Sequence, residues 1–212
     1  MAVETPAAET HLLRAGPAQL SQTLSYLYFA RTAAAVVWLV SLSAALGQKT
    51  TLPFRPLVWT LLIAYPVIDA GATLADIRMT PVESQTRFQR LNLAASLLAA
   101  IAVAATTRTS NFSITIGVVG GWAISSGAIQ LVVAVRRRSV ISAQWFMIVS
   151  GAGSIFAGVN FLGWAGTARD GVAALVQYSA GGALWYAVAA VWLLASTRRL
   201  TSAHRTSWRS SR

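Results

Sequence analysis

The chain has 212 residues, 55% hydrophobic and 11% charged, with a mean hydropathy of +0.57. Soluble domains carry roughly 25% charged residues, so a water-soluble fold would leave much apolar surface uncovered, and a bilayer is the solvent this composition suits. The formal charge of +11 sits as arginines between apolar runs, without the basic stretches interleaved with aromatics that a nucleic-acid surface needs, and no cysteine is present for a disulfide or a thiolate metal site.

Residues 1–16 carry Glu4, Pro6 and Glu9 and have no apolar core, so they do not read as a secretory signal. The first apolar run covers 27–46, broken only by Arg31. The second covers 56–77 and contains Asp69, Asp76 and a mid-helix Pro66, where a kink or a freed carbonyl is expected. A short third run covers 91–107, followed by 112–135, 144–164 and 171–196. About 20 helical residues cross a hydrocarbon core of roughly 30 Å. The third run reaches across only if residues 108–110 extend it or the membrane thins. The pattern predicts an all-α integral membrane bundle of six transmembrane helices over 26–197. A cytoplasmic segment precedes it over 1–25 and a basic cytoplasmic tail follows over 198–212.

Charge sets the orientation. With the N-terminus inside, the cytoplasmic side holds thirteen basic residues: Arg14, Arg31, Arg78, Arg87, Arg90, Arg136, Arg137, Arg138 and the five arginines of the tail. The outer loops hold four: Lys49, Arg55, Arg108 and Arg169. The positive-inside rule then places both termini in the cytoplasm, with anionic lipid headgroups against the inner loops and tail. Trp59 and Trp164 fall near the outer interface and Trp145 and Trp192 near the inner one, whereas Trp38, Trp122 and Trp185 fall deeper, at helix-packing depth.

The even-numbered runs are alike. AYPVIDAGATLADIR (64–78) aligns Gly71-Ala72 with Gly127-Ala128 of GGWAISSGAIQLVVAVR (120–136). ALWYAVAAVWLLASTRR (183–199) then aligns Trp185 with Trp122 and Arg199 with Arg136. Three repeated helical hairpins account for this. The stretches GGWAISSGAIQLVVAVRRR and QWFMIVSGAGSIFAGVNFL resemble the HdeD-like family of small bacterial inner-membrane proteins, in which a glycine-and-tryptophan helix, a basic turn and a Trp-led helix with spaced glycines recur. The resemblance covers 117–162. It implies a six-helix, non-enzymatic membrane protein with a role in envelope or acid-stress tolerance.

Small residues are placed for helix packing. Gly117 and Gly121 form G-x-x-x-G, and Ser150, Ser154 and Gly158 form two small-xxx-small steps. Gly121, Gly127, Gly151 and Gly158 are expected to join the fourth and fifth helices as an antiparallel hairpin, with a homo-oligomer face as the other use of such motifs. Tyr65, Asp69, Thr73 and Asp76 form one polar stripe at i, i+4, i+8 and i+11. A carboxylate at mid-membrane costs on the order of 3 kcal/mol, so Asp69 should face protein and pair. Arg31 lies at matching depth if the first two helices fold antiparallel. This buried polar cluster fixes the hairpin register, forms a proton- or cation-responsive site, or forms a substrate site. Ser125, Ser126, Gln130, Asn160 and Gln177 are further polar groups in the spans. They suit interhelical hydrogen bonds, and Ser126, Gln130, Asn160 and Gln177 could line a cavity with Asp69.

Catalytic signatures are missing: no H-E-x-x-H, P-loop, dinucleotide fingerprint or G-x-S-x-G occurs. His11 and His204 lie in the tails, so the spans hold no imidazole base or ligand. Asp69 and Asp76 stand roughly 10 Å apart by helical rise, too far to share a proton. The sequence points away from an enzyme, a metal and a cofactor. It leaves a stress-tolerance protein and, as the alternative, a small transporter or channel using Asp69. A polar cavity reaching Asp69 distinguishes the second from a closed bundle.

Overall fold

The computed structural model describes residues 17–47, 56–79, 83–109, 111–139, 143–163 and 168–210. These form six helices and, among the described residues, no strand: α1 (Pro17–Gly47), α2 (Pro56–Met79), α3 (Glu83–Thr106), α4 (Phe112–Arg137), α5 (Gln144–Gly163) and α6 (Ala168–Ser210). Each contains a stretch long and apolar enough to cross a membrane. The protein is a multi-pass membrane bundle of six helices. Lys49, Arg55, Trp164 and His11 lie outside the described residues, as do the side chains of Arg169 and of the arginines after residue 196.

Local chemistry sets the helix ends. Pro17 and Pro56 occupy first-turn positions, where the missing N–H is no loss and the fixed φ suits a helix. Asn111 caps α4, its side-chain oxygen accepting from the Ile114 amide at 3.2 Å. The helix α1 already begins at Pro17, and α6 continues to Ser210, so helix extends into both flanking segments.

One expectation changes. The short third span gains its length at the other end. The span runs over Thr86–Thr106, while residues 107–109 form a turn rather than another helical step. The apolar run starts at 91, beyond Gln89, yet Gln89 is buried and donates to Asp76 of α2, just as Asn92 inside the run is buried and donates to Asp69. Pro66 does not divide α2, which is one helix from end to end with the proline buried inside it. Leu62 loses its usual i+4 donor to that proline. On the adjacent carbonyl, Leu61, the Trp38 indole N–H donates at 2.6 Å, so a side chain from α1 seats where the helix is weakest.

The helices form a closed ring in chain order, with α6 returning against α1. Packing is closest at the seams α2–α3, α4–α5 and α6–α1 and looser at α1–α2, α3–α4 and α5–α6. Two of the close seams, α2–α3 and α4–α5, join helices consecutive in the chain, and the third brings the last helix back against the first. The outward faces are apolar. Leu98, Ile101 and Phe156 are 67%, 66% and 72% exposed, which suits lipid and not water. Trp145 and Trp192 also face outward, whereas Trp59 is buried against Phe112 with rings 4.2 Å apart, so it belongs to the core and not to an interfacial belt.

One core fills the end of the ring where Trp59 lies, with Leu42, Val58, Leu62, Val103, Phe112 and Ile116. A second fills the opposite end, with Leu24, Ala134, Met147, Ala190 and Leu193. These are called the Trp59 end and the Arg137 end.

The α4–α5 seam is made by glycine. A Cβ on Gly127 would lie 2.7 Å from the Gly151 carbonyl oxygen and 2.7 Å from Ser154 Cβ. One on Gly158 would lie 2.6 Å from the Gly120 carbonyl oxygen and 2.9 Å from the Ile124 amide. Gly120 takes the place expected of Gly121. Gly121 and Gly117 both have open space where a Cβ would go, because they lie off the α5-facing side of α4.

Replacing Gly127 by valine or Gly158 by leucine is therefore expected to lower the melting temperature in detergent, by an overpacking effect of about 1–3 kcal/mol or more. Gly117→Ala and Gly121→Ala should leave it unchanged or slightly raised, since helix propensity improves without a clash. Thermal denaturation of the four variants checks this.

Candidate functional site

The polar stripe of α2 points into the ring. Asp69 is its centre and accepts three hydrogen bonds. Arg31 Nη1 of α1 donates to Oδ1 at 3.0 Å, while Asn92 Nδ2 and Ser96 Oγ of α3 donate to Oδ2 at 2.9 and 2.7 Å. Arg31 spreads its fork further, donating through Nη2 to Thr73 Oγ1 at 3.2 Å and through Nη1 to the Tyr186 hydroxyl of α6 at 3.2 Å. Its guanidinium lies 5.3 Å from the Tyr186 ring centroid, within cation–π range. Tyr186 donates onward to Gln130 Oε1 of α4 at 3.4 Å, and Gln130 Nε2 donates to the Met147 carbonyl of α5 at 3.1 Å. Trp122 of α4 donates to Ser96 Oγ at 3.0 Å. One hydrogen-bonded belt thus passes through all six helices, with the Arg31–Asp69 ion pair as its charged link.

A second ion pair lies toward the Arg137 end. Arg137 Nη1 and Nη2 approach Asp76 Oδ2 and Oδ1, each at 3.3 Å, and Gln89 Nε2 donates to Oδ2 at 2.7 Å. Arg137 is 4% exposed. Reading 136–138 as loop charge alone missed this. Arg136 sets its guanidinium 4.4 Å from the Phe88 ring centroid, and Arg138 is exposed, so adjacent arginines have different tasks. The helical register separates them: Ala134 and Arg137 share a face, three residues apart. Asp76 therefore pairs with Arg137 rather than with Arg31 or the exposed Arg78.

Two cavities adjoin the belt. The first, about 70 Å³, lies toward the Arg137 end and reaches Asp69, Thr73, Asp76, Gln89, Asn92 and Arg137. The second, about 80 Å³, lies nearer mid-bundle, with Trp38, Tyr65, Trp122 and Tyr178 on its walls beside the hydroxyls of Ser150, Ser154 and Ser179. Arg31, Asp69, Ser126, Gln130 and Tyr186 border both, so the belt is the partition between them. A space of this size holds more than one water, and its polar walls supply the two to four partners that each needs.

Tyr65 belongs to the second cavity. It stacks on Trp38 at 4.2 Å and meets Trp122 edge-on at 5.2 Å, and it makes no hydrogen bond to Asp69 among the described residues. Ser126 and Gln130 line both cavities, and Ser125 turns back to the Trp122 carbonyl at 3.0 Å. Asn160 and Gln177 line neither of these two cavities. Asn160 donates to its own helix at the Phe156 carbonyl, 2.8 Å away, and Gln177 is exposed. On α6 the inward face is Leu175, Tyr178, Ser179, Ala183 and Tyr186, and Gln177 falls on the other side. Ser154 is buried and accepts from the Tyr178 hydroxyl at 3.1 Å, so it lines a cavity as well as meeting Gly127. Among the described residues no group of three or more His, Cys, Asp or Glu could hold a metal.

Removing one member of the Arg31–Asp69 pair leaves the other charge without its partner inside the bundle. Arg31→Ala and Asp69→Ala are each expected to destabilise the fold by on the order of 3 kcal/mol. The double variant should fall short of their sum by about 1 kcal/mol or more. Unfolding in mixed detergent measures the cycle, and strict additivity would refute the coupling.

Comparison with protein-family models, curated proteins and solved structures finds no match to this chain.

Proposed function

We propose that this protein is a small transporter or channel of the bacterial inner membrane, with a proton-responsive gate at Asp69. The observation that supports the reading is the pair of cavities meeting at Arg31, Asp69, Ser126, Gln130 and Tyr186. A bundle serving only as a scaffold has no need to keep polar, partly open space around an ion pair in its middle. A passage needs such space, and it needs a removable partition. The Arg31–Asp69 pair suits that task. A proton added to Asp69 converts an acceptor into a donor and removes the counter-charge of Arg31. The guanidinium then loses its reason to bridge α1, α2 and α6. No catalytic step is part of this reading.

Apolar cores close both ends of the ring beyond the two cavities, so the arrangement corresponds to a closed state of the passage. With thirteen of the seventeen basic residues on one side, the Arg137 end is cytoplasmic, as are both termini. The basic loops and tail then lie against anionic headgroups. Membership of the HdeD-like family belongs to the same proposal. The residues that carry the resemblance build the α4–α5 seam, and a proton-responsive passage is compatible with a part in acid-stress tolerance.

Vesicles reconstituted with the protein are expected to pass protons or small polar solutes faster than protein-free vesicles, at a rate that changes with pH. Asp69→Asn, which holds the side chain neutral, should remain folded and abolish the pH response. Flux equal to that of protein-free vesicles at every pH would refute the reading.

Orientation is tested separately. Reporters fused after Gly47 and after Ser139 should report opposite sides of the membrane, periplasmic for the first and cytoplasmic for the second, and identical sidedness would refute the topology.

A further inference from the structure

The first cavity carries a chemical signature more specific than polarity. Gln89 and Asn92, 3% and 9% exposed, both line it. Their amide nitrogens are committed: Gln89 Nε2 donates to Asp76 at 2.7 Å, and Asn92 Nδ2 donates to Asp69 at 2.9 Å and to Thr73 at 3.0 Å. The carboxylates fix both amide orientations, because a flip would set a carbonyl oxygen against a carboxylate oxygen. The remaining atoms, Gln89 Oε1 and Asn92 Oδ1, are buried and accept no hydrogen bond among the described residues. Two carbonyl oxygens on successive turns of α3 are thus held ready for hydrogen-bond donors.

The charges around the cavity cancel. Arg31 faces Asp69 and Arg137 faces Asp76, and among the described residues no other charged side chain borders it. A charged guest would enter a balanced low-dielectric space with no opposite charge to meet. An apolar guest would leave both carbonyls unsatisfied. Size narrows the choice further. A cavity of about 150 Å³ holds a benzene molecule, so one about half as large takes roughly three or four heavy atoms.

We propose that the first cavity is a binding site for a small neutral solute bearing N–H or O–H donors, of the class of urea or a short primary amide. This rests on the passage reading and names what passes. Water offers the same donors, and the experiment separates the two.

Stopped-flow shrinkage and reswelling of proteoliposomes compares urea and acetamide with guanidinium, which has the shape of urea but carries a charge. Urea and acetamide are expected to cross faster than in protein-free vesicles, and guanidinium is not. Asn92→Leu, which removes one acceptor, should slow urea by about tenfold, equivalent to one hydrogen bond of about 1.4 kcal/mol. Gln89→Met does the same for the other acceptor if the first variant does not fold, and the wild-type comparison requires no variant. Guanidinium or proton flux without urea flux would overturn the ligand class while leaving the passage intact. Osmotic water flow alone would reduce the site to a hydrated void and overturn it too. No flux of any of these would refute the passage itself.

Discussion

A guanidinium and a carboxylate meet 3.0 Å apart in the middle of a membrane bundle, and most of the polar organisation follows from that contact. Either charge alone would cost on the order of 3 kcal/mol or more in the bilayer. Together they are tolerable only if the rest of their hydrogen-bonding capacity is met. Asp69 therefore draws Asn92 and Ser96 from α3, and Arg31 draws Thr73 from α2 and Tyr186 from α6. Each of these recruits a further partner, until the chain of hydrogen bonds has visited all six helices. Register, tilt and neighbour order are thereby tied to one point. Lipid gives helices little hydrophobic reason to prefer one neighbour over another, so a polar link that only one arrangement satisfies acts as the specifier.

The belt residues spend their polar atoms on one another across the ring, and a cavity lies on either side of them. Aromatic rings on one side and amides on the other keep the two cavities chemically distinct. The first is amide- and charge-lined and neutral overall, and the second combines ring faces with hydroxyls.

Much of this was legible in the sequence because cost arguments in a membrane are sharp. An arginine and an aspartate inside apolar runs, at equal depth in neighbouring antiparallel helices, leave few options besides pairing, and the structure places them in contact. The stripe from Tyr65 to Asp76 was equally plain from its spacing. Other features were hidden by the same rules. Gln89 fell outside the third apolar run and Asn92 was one polar residue within it, yet they are the buried partners of Asp76 and Asp69. Arg137 looked like one of three topology charges, and only the helical register of α4 distinguishes it from Arg136 and Arg138. Gly120 and Gly121 are adjacent, and a repeat of glycines at spacing four favoured the wrong one. Asn160 and Gln177 were polar in apolar surroundings, but one is satisfied within its own helix and the other faces outward. For single polar residues, membership of a span does not reveal the face.

At the α4–α5 seam each glycine of a facing pair presents its backbone to the other's carbonyl, so two helices touch main chain to main chain at two levels. Side chains can change rotamer, but backbones in contact have no such slack. The two helices therefore behave mechanically as a single slab, and Gln130, Trp122 and the Met147 carbonyl are fixtures mounted on it. If the proposed passage operates, any displacement that joins the two chambers falls to the other four helices moving against that slab, with the Tyr186–Gln130 contact as the link that parts. The glycines, chemically inert, would then set which part of the molecule is the stator and which moves.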